Sequence, residues 1–220
     1  MLYRYRVRAR AAVDAARSRL PDVSSWRVLE LGAAEGRTLL HVRELLGGRG
    51  SFNGVEISPS LIDTAPELPH DTRLIRGDAG SLPAELEPSS YDLCLALAVL
   101  EHLEEPEACV REAARALRPG GVFVATCPDP FWDRVAGKLG LVADEHHALE
   151  MGEREMLRAV ERAGLVEAEF ERFMWLPVGA LPYLRAPVPP RLSLLVDRLV
   201  RPLPFAGHTF VNQLVSATKP

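Results

Sequence analysis

The sequence predicts an α/β fold: a doubly wound, mostly parallel sheet with helices on both faces. Three observations lead there. Short apolar runs alternate with segments of helical periodicity along most of the chain. Three of those runs, WRVLEL, SFNGVEI and TRLIRGD, close on or beside a carboxylate, at Glu30, Glu56 and Asp78. VLELGAAEGRTLL, residues 28–40, joins a strand to a helix through a loop of small residues, the kind of turn that meets a nucleotide.

The elements follow in order. Residues 1–20, MLYRYRVRARAAVDAARSRL, are basic and have no apolar signal core. They predict an Arg-rich helix packed on the domain rather than a secretory signal or a transit segment. Residues 26–31 predict the first strand. Residues 35–46 predict a helix, with Leu39, Leu40 and Leu45 among charges, stopped by Gly47, Gly48 and Gly50. SFNGVEI (51–57) predicts the second strand, and 60–65 a short helix with Ser58 near its cap. TRLIRGD (72–78) predicts the third strand and YDLCLALAVL (91–100) opens as the fourth. PEACVREAARAL (106–117) has helical spacing, with Pro106 near its start. RPGG (118–121) predicts a turn and VFVAT (122–126) a fifth strand. GEREMLRAVERAG (152–164) predicts a helix closed by glycine. LVEAEFERFMW (165–175) and TFVNQLVSATK (209–219) alternate as strands six and seven. Between them lies 176–208, whose prolines oppose regular structure outside a helix at 191–201. The chain of 220 residues fits one domain, 1–220, with an N-terminal helix at 1–20 and a lid-like insertion at 176–208.

Composition bounds the function. A net charge of -4 and a pI near 5.9 leave no overall basic footprint, so no nucleic-acid partner is expected. The three cysteines, Cys94, Cys109 and Cys127, lack CxxC spacing. They fit a reducing, cytoplasmic setting without a disulfide framework. No apolar run approaches the about 20 residues of a membrane span.

The loop decides which nucleotide. A dinucleotide fingerprint starting at Gly32 places Ala34 and Arg37 where glycines belong, so two of three positions fail. A phosphate-cradling Gly-Lys-Ser/Thr run is absent as well. The pattern acid-x-Gly-x-Gly-x-Gly reads Glu30, Gly32, Ala34, Gly36, and three of its four positions hold. This loop resembles the first motif of class I S-adenosylmethionine-dependent methyltransferases. YDLCLALAVLEHL and ALRPGGVFVAT resemble the fourth-strand and post-helix motifs of the same superfamily. The resemblance covers about 26–126 and, more loosely, 146–175 and 209–219.

The resemblance implies a Rossmann-like sheet of seven strands with the last antiparallel, and S-adenosyl-L-methionine as cofactor. It places Glu30, Gly32, Ala33, Ala34 and Gly36 against the amino acid portion, and Glu56 and Ile57 at the ribose. Asp78 and Ala79 are placed at the adenine, and Leu97 beside the cofactor at the end of the fourth strand. The chemistry is consistent with this. The cofactor has no phosphate, so a full anion nest is unnecessary, and a strand-end acid can receive its ammonium. Three carboxylates at three successive strand ends mark the ligand face of an open α/β sheet.

Methyl transfer needs a base only when the acceptor must lose a proton. DEHH (144–147) offers His146 and His147 as candidate bases with near-neutral pKa. Glu101–His102 follows the fourth strand. In related ubiquinone methyltransferases a Glu three residues before a Glu-His pair helps bind a metal; here Ala98 stands there, and no metal is predicted. Cys127, in VATCPDP, lacks the Pro-Cys partner motif of RNA cytosine methyltransferases and reads as a small buried hydrophobe. The expected function is methyl transfer to a small-molecule acceptor, at oxygen, with acceptor contacts from 127–150 and 176–208. The alternatives are a nicotinamide-dependent oxidoreductase and a non-catalytic S-adenosylmethionine-binding module. In 176–208 the leucine spacing within 192–203 fits a lid helix, an apolar acceptor pocket or a peripheral membrane contact.

Overall fold

The structure is a computed structural model, describing residues 2–138, 149–184, 186, 188–204 and 206–220. Helix α1 (Leu2–Arg19) precedes β1 (Trp26–Leu31), α2 (Arg37–Leu45), β2 (Gly50–Glu56), α3 (Pro59–Asp63), β3 (Thr72–Arg76) and β4 (Tyr91–Leu97). Then come a single 3-10 turn (Leu100–His102), α4 (Pro106–Ala116), β5 (Leu117–Pro128), α5 (Pro130–Lys138), α6 (Glu153–Arg162) and β6 (Val166–Trp175). Helices α7 (Leu176–Ala180) and α8 (Pro190–Val200) lead to β7 (Phe210–Thr218).

The seven strands form one sheet in the order β3-β2-β1-β4-β5-β7-β6. β1 to β5 run parallel, and β7 enters antiparallel between β5 and β6. The order reverses at β1, so the crevice between the ends of β1 and β4 is the topological switch point where such sheets bind ligands.

Alternation along the central strands builds two cores. In β4, Leu93, Leu95 and Leu97 face the side covered by α1 and α2, while Cys94 and Ala96 face the side covered by α4 and α6. In β5, Val122 and Val124 join the first core, and Phe123, Ala125 and Cys127 the second. All three cysteines are buried and free, and burial pushes Cys94 and Cys127 well above the ordinary thiol range and Cys109 up to about 12.

Helix α1 runs the depth of the sheet. At its C-terminal end Arg19 donates to Thr218 Oγ1 and to the Glu167 carbonyl, at the start of β6 and the end of β7. Nearer its N-terminus Arg8 reaches Asn212 Oδ1 at the opposite edge, where the parallel strands end. The Arg-rich N-terminus is thus a packed helix, as its sequence predicts.

Three details differ from the sequence reading. RPGG is the irregular beginning of β5 rather than a separate turn: the ladder with β4 shifts register between Tyr91 and Leu93, and Gly120 N–H donates to the Lys219 carbonyl. The third strand ends at Arg76, short of Asp78, whose Oδ1 accepts from Gly80 N–H within a tight turn. Residues 176–184 are helical despite Pro177 and Pro182, because Pro177 sits in the first turn of α7, where a missing N–H is harmless.

The insertion is fastened from inside. Asp197 of α8 is fully buried and accepts from Met174 N–H at 2.7 Å and Trp175 N–H at 2.8 Å, at the end of β6. Met174 has a positive φ of 63°, a conformation an unbranched L-residue holds only under such constraint. Asp197→Ala leaves two backbone donors without their carboxylate, and is expected to lower stability by about 2–4 kcal/mol. Denaturant titration of the variant against the parent checks this; an unchanged midpoint would show that α8 is held by its leucines alone.

Candidate functional site

The strand ends converge as the sequence requires. β1 delivers Glu30 and then the loop 32–36; β2, its neighbour, delivers Glu56; β3, next along, leads to Asp78. The loop is fixed by backbone bonds to β2. Gly32 N–H and Ala33 N–H both donate to the Val55 carbonyl at 2.9 Å, and Gly36 N–H donates to the Ala33 carbonyl at 2.8 Å.

Two glycines make this seating possible by close approach. A Cβ on Gly32, whose φ is +70°, would lie 2.3 Å from Val99 Cγ2, so the loop and the end of β4 touch there. A Cβ on Gly54, in β2, would lie 2.6 Å from Ala33 Cβ. Gly54 is the residue that sequence reading passes over: SFNGVEI looks like an ordinary strand, yet its glycine makes room for the neighbouring loop. The signal was a glycine inside a strand pattern, which marks close backbone approach.

Glu56 is 8 % exposed, and its carboxylate holds the loop. Oε2 accepts from Ala34 N–H and Oε1 from Ser58 N–H, each at 2.9 Å. A carboxylate oxygen has a second lone pair, so both oxygens remain able to accept from a ligand hydroxyl. Ala34, where the superfamily motif has glycine, adopts φ +46°. Ile57 is 65 % exposed beside Glu56, an apolar surface next to a polar one. Asp78 is exposed and Ala79 buried, while Leu97 is buried at the end of β4.

Glu30 is 1 % exposed, and its Oε2 has no hydrogen-bond partner among the described residues. Burial pushes its carboxyl up to about 8, opposed by the Leu39 backbone amide. An orphaned acid beside a glycine loop is a site with an unmet need for a cation or a hydrogen-bond donor. The amino acid end of S-adenosylmethionine supplies both, directly or through water, so the residues present fit that cofactor.

A second polar cluster sits beyond the ends of β4, β5 and β7. Glu101 is buried and Thr126 fully so, and Glu101 Oε2 and Thr126 Oγ1 have no partner among the described residues. Burial raises the Glu101 carboxyl against the opposing charge of Arg8 and His102. The same burial lowers the Arg8 guanidinium, with Glu101 opposing. Cys127 packs against Glu101 within this cluster. The association of Arg8 with Glu101 across 93 positions of sequence carries no local signal, and sequence reading missed it. His146 and His147 lie outside the described residues. Among the described residues, an open groove of about 390 Å³ between α4 and α6 carries charges of both signs, including Glu105, Arg111 and Arg158. It lies on α4 and α6, away from the glycine loop.

A switch-point crevice with a glycine loop, an orphaned acid and two further strand-end carboxylates defines a nucleoside-binding α/β domain of the methyltransferase type. Residues 29–125 match the family described as Methyltransferase domain. The chain is 30% identical over 107 residues to a ubiquinone biosynthesis O-methyltransferase from Idiomarina loihiensis, an alignment covering 43% of each protein. It is 27% identical over 167 residues to a malonyl-[acyl-carrier protein] O-methyltransferase from Brevibacillus brevis, covering 69% of this chain and 58% of that one. Among solved structures it resembles a SAM-dependent methyltransferase from Archaeoglobus fulgidus, with TM-score 0.65, 16% identity and coverage of 96% and 94%. Over residues 29–125, less than half of its length, the chain is thus similar to S-adenosylmethionine-dependent methyltransferases. It spans 43% and 58% of the two curated relatives' lengths.

The contact between Gly32 and Val99 is testable. Gly32→Ala adds a Cβ at a positive φ and against Val99, and is expected to destabilise by about 2–4 kcal/mol and to abolish cofactor binding. Val99→Ala in the same chain removes the nearest methyls and should recover part of the stability, leaving the backbone strain and the 2.8 Å approach to Val99 Cβ. Thermal melts of both variants decide it; no recovery in the double variant would show that the methyls contribute nothing to the penalty.

Proposed function

We propose that the chain transfers a methyl group from S-adenosyl-L-methionine to a small-molecule acceptor, at oxygen. The observation that carries this reading is the convergence of the loop 32–36 with Glu30, Glu56 and Asp78 at the ends of three adjacent strands. When bound, the cofactor supplies a methyl group on a positively charged sulfur that leaves as a neutral thioether.

The chain's own residues do the rest. Glu30 receives the ammonium, and the loop amides and carbonyls meet the amino acid portion. Glu56 accepts from the ribose hydroxyls with the lone pairs left over from Ala34 and Ser58, and Ile57 covers the sugar. Asp78 and Ala79 read the adenine edge, and Leu97 closes the floor at the end of β4. The two O-methyltransferase relatives support oxygen as the acceptor atom. For a hydroxyl acceptor, His146 or His147 takes the proton as the new carbon–oxygen bond forms. Acceptor contacts come from 127–150 and 176–208; among the described residues, Glu101 Oε2 and Thr126 Oγ1 are buried polar atoms without a partner that a polar acceptor could meet. A reducing, cytoplasmic setting suits three free thiols.

Calorimetry tests the cofactor. S-adenosylhomocysteine should bind and NADH should not; the reverse result would favour a nicotinamide oxidoreductase. In the ligand-free protein Glu30 holds its proton to about pH 8, whereas an unperturbed carboxyl of this type loses it near 4.5. Folding therefore takes up a proton within this window, and the Glu30 contribution to stability falls as pH rises through it. A bound ammonium reverses the preference. Near neutral pH, binding should release a proton into the buffer for the parent and not for Glu30→Gln, read from titrations in buffers of different ionisation enthalpy. Equal proton release in both proteins would remove Glu30 from the ammonium site.

The base is tested separately. With a hydroxyl acceptor, turnover should rise through the ordinary histidine range near about pH 6.5. His146→Ala or His147→Ala should lower kcat by about 10²–10⁴-fold while leaving S-adenosylhomocysteine affinity unchanged. A flat pH profile with both variants active would make the histidines structural.

A further inference from the structure

Helix α8 has an inner and an outer face with opposite character. Inside, Ser193, Leu194 and Asp197 are buried, and Asp197 ties the helix to the end of β6. Outside, Leu192, Leu195, Leu199 and Leu203 are 49%, 53%, 68% and 57% exposed. Residues 192, 195 and 199 recur at helical spacing and form one stripe. Arg191 and Arg198 are exposed beside it.

The charge around this stripe has one sign. Residues 176–208 hold four arginines, at 185, 191, 198 and 201, and a single acid, Asp197, in a chain whose net charge is -4. That acid is fully buried and occupied by backbone donors. The outer face therefore presents leucine and arginine with no carboxylate of its own segment; Arg201 is paired with Glu171 of β6 at 2.5 Å, and Asp14 of α1 lies 3.9 Å from Arg198, which leaves Arg191 and Arg198 as the charges flanking the stripe.

A contiguous apolar stripe of this kind signals a covering surface. A second copy meeting it about a two-fold axis would set leucine on leucine and also arginine beside arginine, with no acid on the face to offset the repulsion. An anionic lipid surface suits both residue types: leucines enter the boundary between headgroups and acyl chains, and arginine stems follow them while their guanidinium groups meet phosphates. No described helix is long and apolar enough to cross a membrane, so the contact is one of lying on the surface. We propose that the outer face of α8, extended by Leu203, docks this protein on an anionic membrane surface. The inference stands on the surface of α8 and is independent of the proposed methyl transfer.

Co-sedimentation with vesicles tests it, using phosphatidylcholine alone and phosphatidylcholine with about one quarter phosphatidylglycerol. The protein should pellet with the anionic vesicles, roughly tenfold more weakly with the neutral ones, and less as salt is raised. A variant carrying Leu195→Ser and Leu199→Ser, and another carrying Arg191→Glu and Arg198→Glu, should each lose about tenfold in vesicle affinity while keeping the parent's circular dichroism and melting temperature. All four positions are exposed, so the fold should survive. Failure to pellet with either vesicle, or equal binding by parent and variants, would overturn the proposal. So would a parent that runs as a dimer by light scattering and becomes monomeric with Leu195→Ser and Leu199→Ser, because the stripe would then belong to a second copy.

Discussion

The latch between the first loop and the second strand is the contact on which the ligand face depends. Val55 and Glu56, consecutive at the end of β2, accept three successive N–H groups from Gly32, Ala33 and Ala34. Parallel pairing of β1 with β2 brings the two strand ends level, with Glu30 opposite Gly54 and Leu31 opposite Val55. The chain then turns over the end of β2 instead of into solvent. Gly54 leaves the space that Ala33 fills, and Gly32 leaves the space that Val99 fills. One loop is thereby pinned between the ends of the two strands that flank β1, β2 and β4, and α2 begins from a fixed point.

Magnitudes explain how alanine stands at position 34. A left-handed conformation costs an L-residue roughly 1–2 kcal/mol. The Ala34 N–H bond to the Glu56 carboxylate is charge-assisted, and such bonds contribute roughly 1.5–3 kcal/mol. The bond can hold the strained residue, so the missing glycine of the motif does not unseat the loop. It does make Glu56 a group with two duties. Its carboxylate organises the ligand-free loop, and each of its oxygens keeps a further lone pair. The effect of removing Glu56 on cofactor affinity therefore includes a conformational part as well as the loss of direct contacts.

The sequence shows most of the fold, because its period changes cleanly between two and 3.6 and because carboxylates recur at or just beyond successive strand ends. Glu30, Glu56 and Asp78 were readable as a group for that reason. What the sequence conceals is non-local. RPGG has the composition of a turn, yet antiparallel pairing with β7 draws it into β5. Glu56 reads as a ligand carboxylate, and only the three-dimensional pairing of strands reveals its two backbone donors. Arg8 reads as one of many arginines on a basic helix, until α1 carries it to the strand ends beside Glu101. The candidate bases at 146 and 147 lie outside the described residues, and their role rests on position in the sequence alone.

The glycine loop and α8 can be read by the same accounting of polar groups. Beside the loop, burial leaves Glu30 Oε2 without a partner among the described residues, which points to a ligand as the missing partner. In α8 the reverse holds: the buried acid is fully satisfied by Met174 and Trp175, and it is the apolar groups that lack cover. A helix that served only to cap the domain would turn its leucines inward and its arginines and acids outward. Here Leu194 alone of the four leucines within α8 is buried, while the other three share the solvent face with arginine. Asp197 thus fixes the orientation that a capping role would disfavour, holding the helix by its polar side so that its apolar side stays outermost. The anchoring and the exposure are consequences of one placement of one acid.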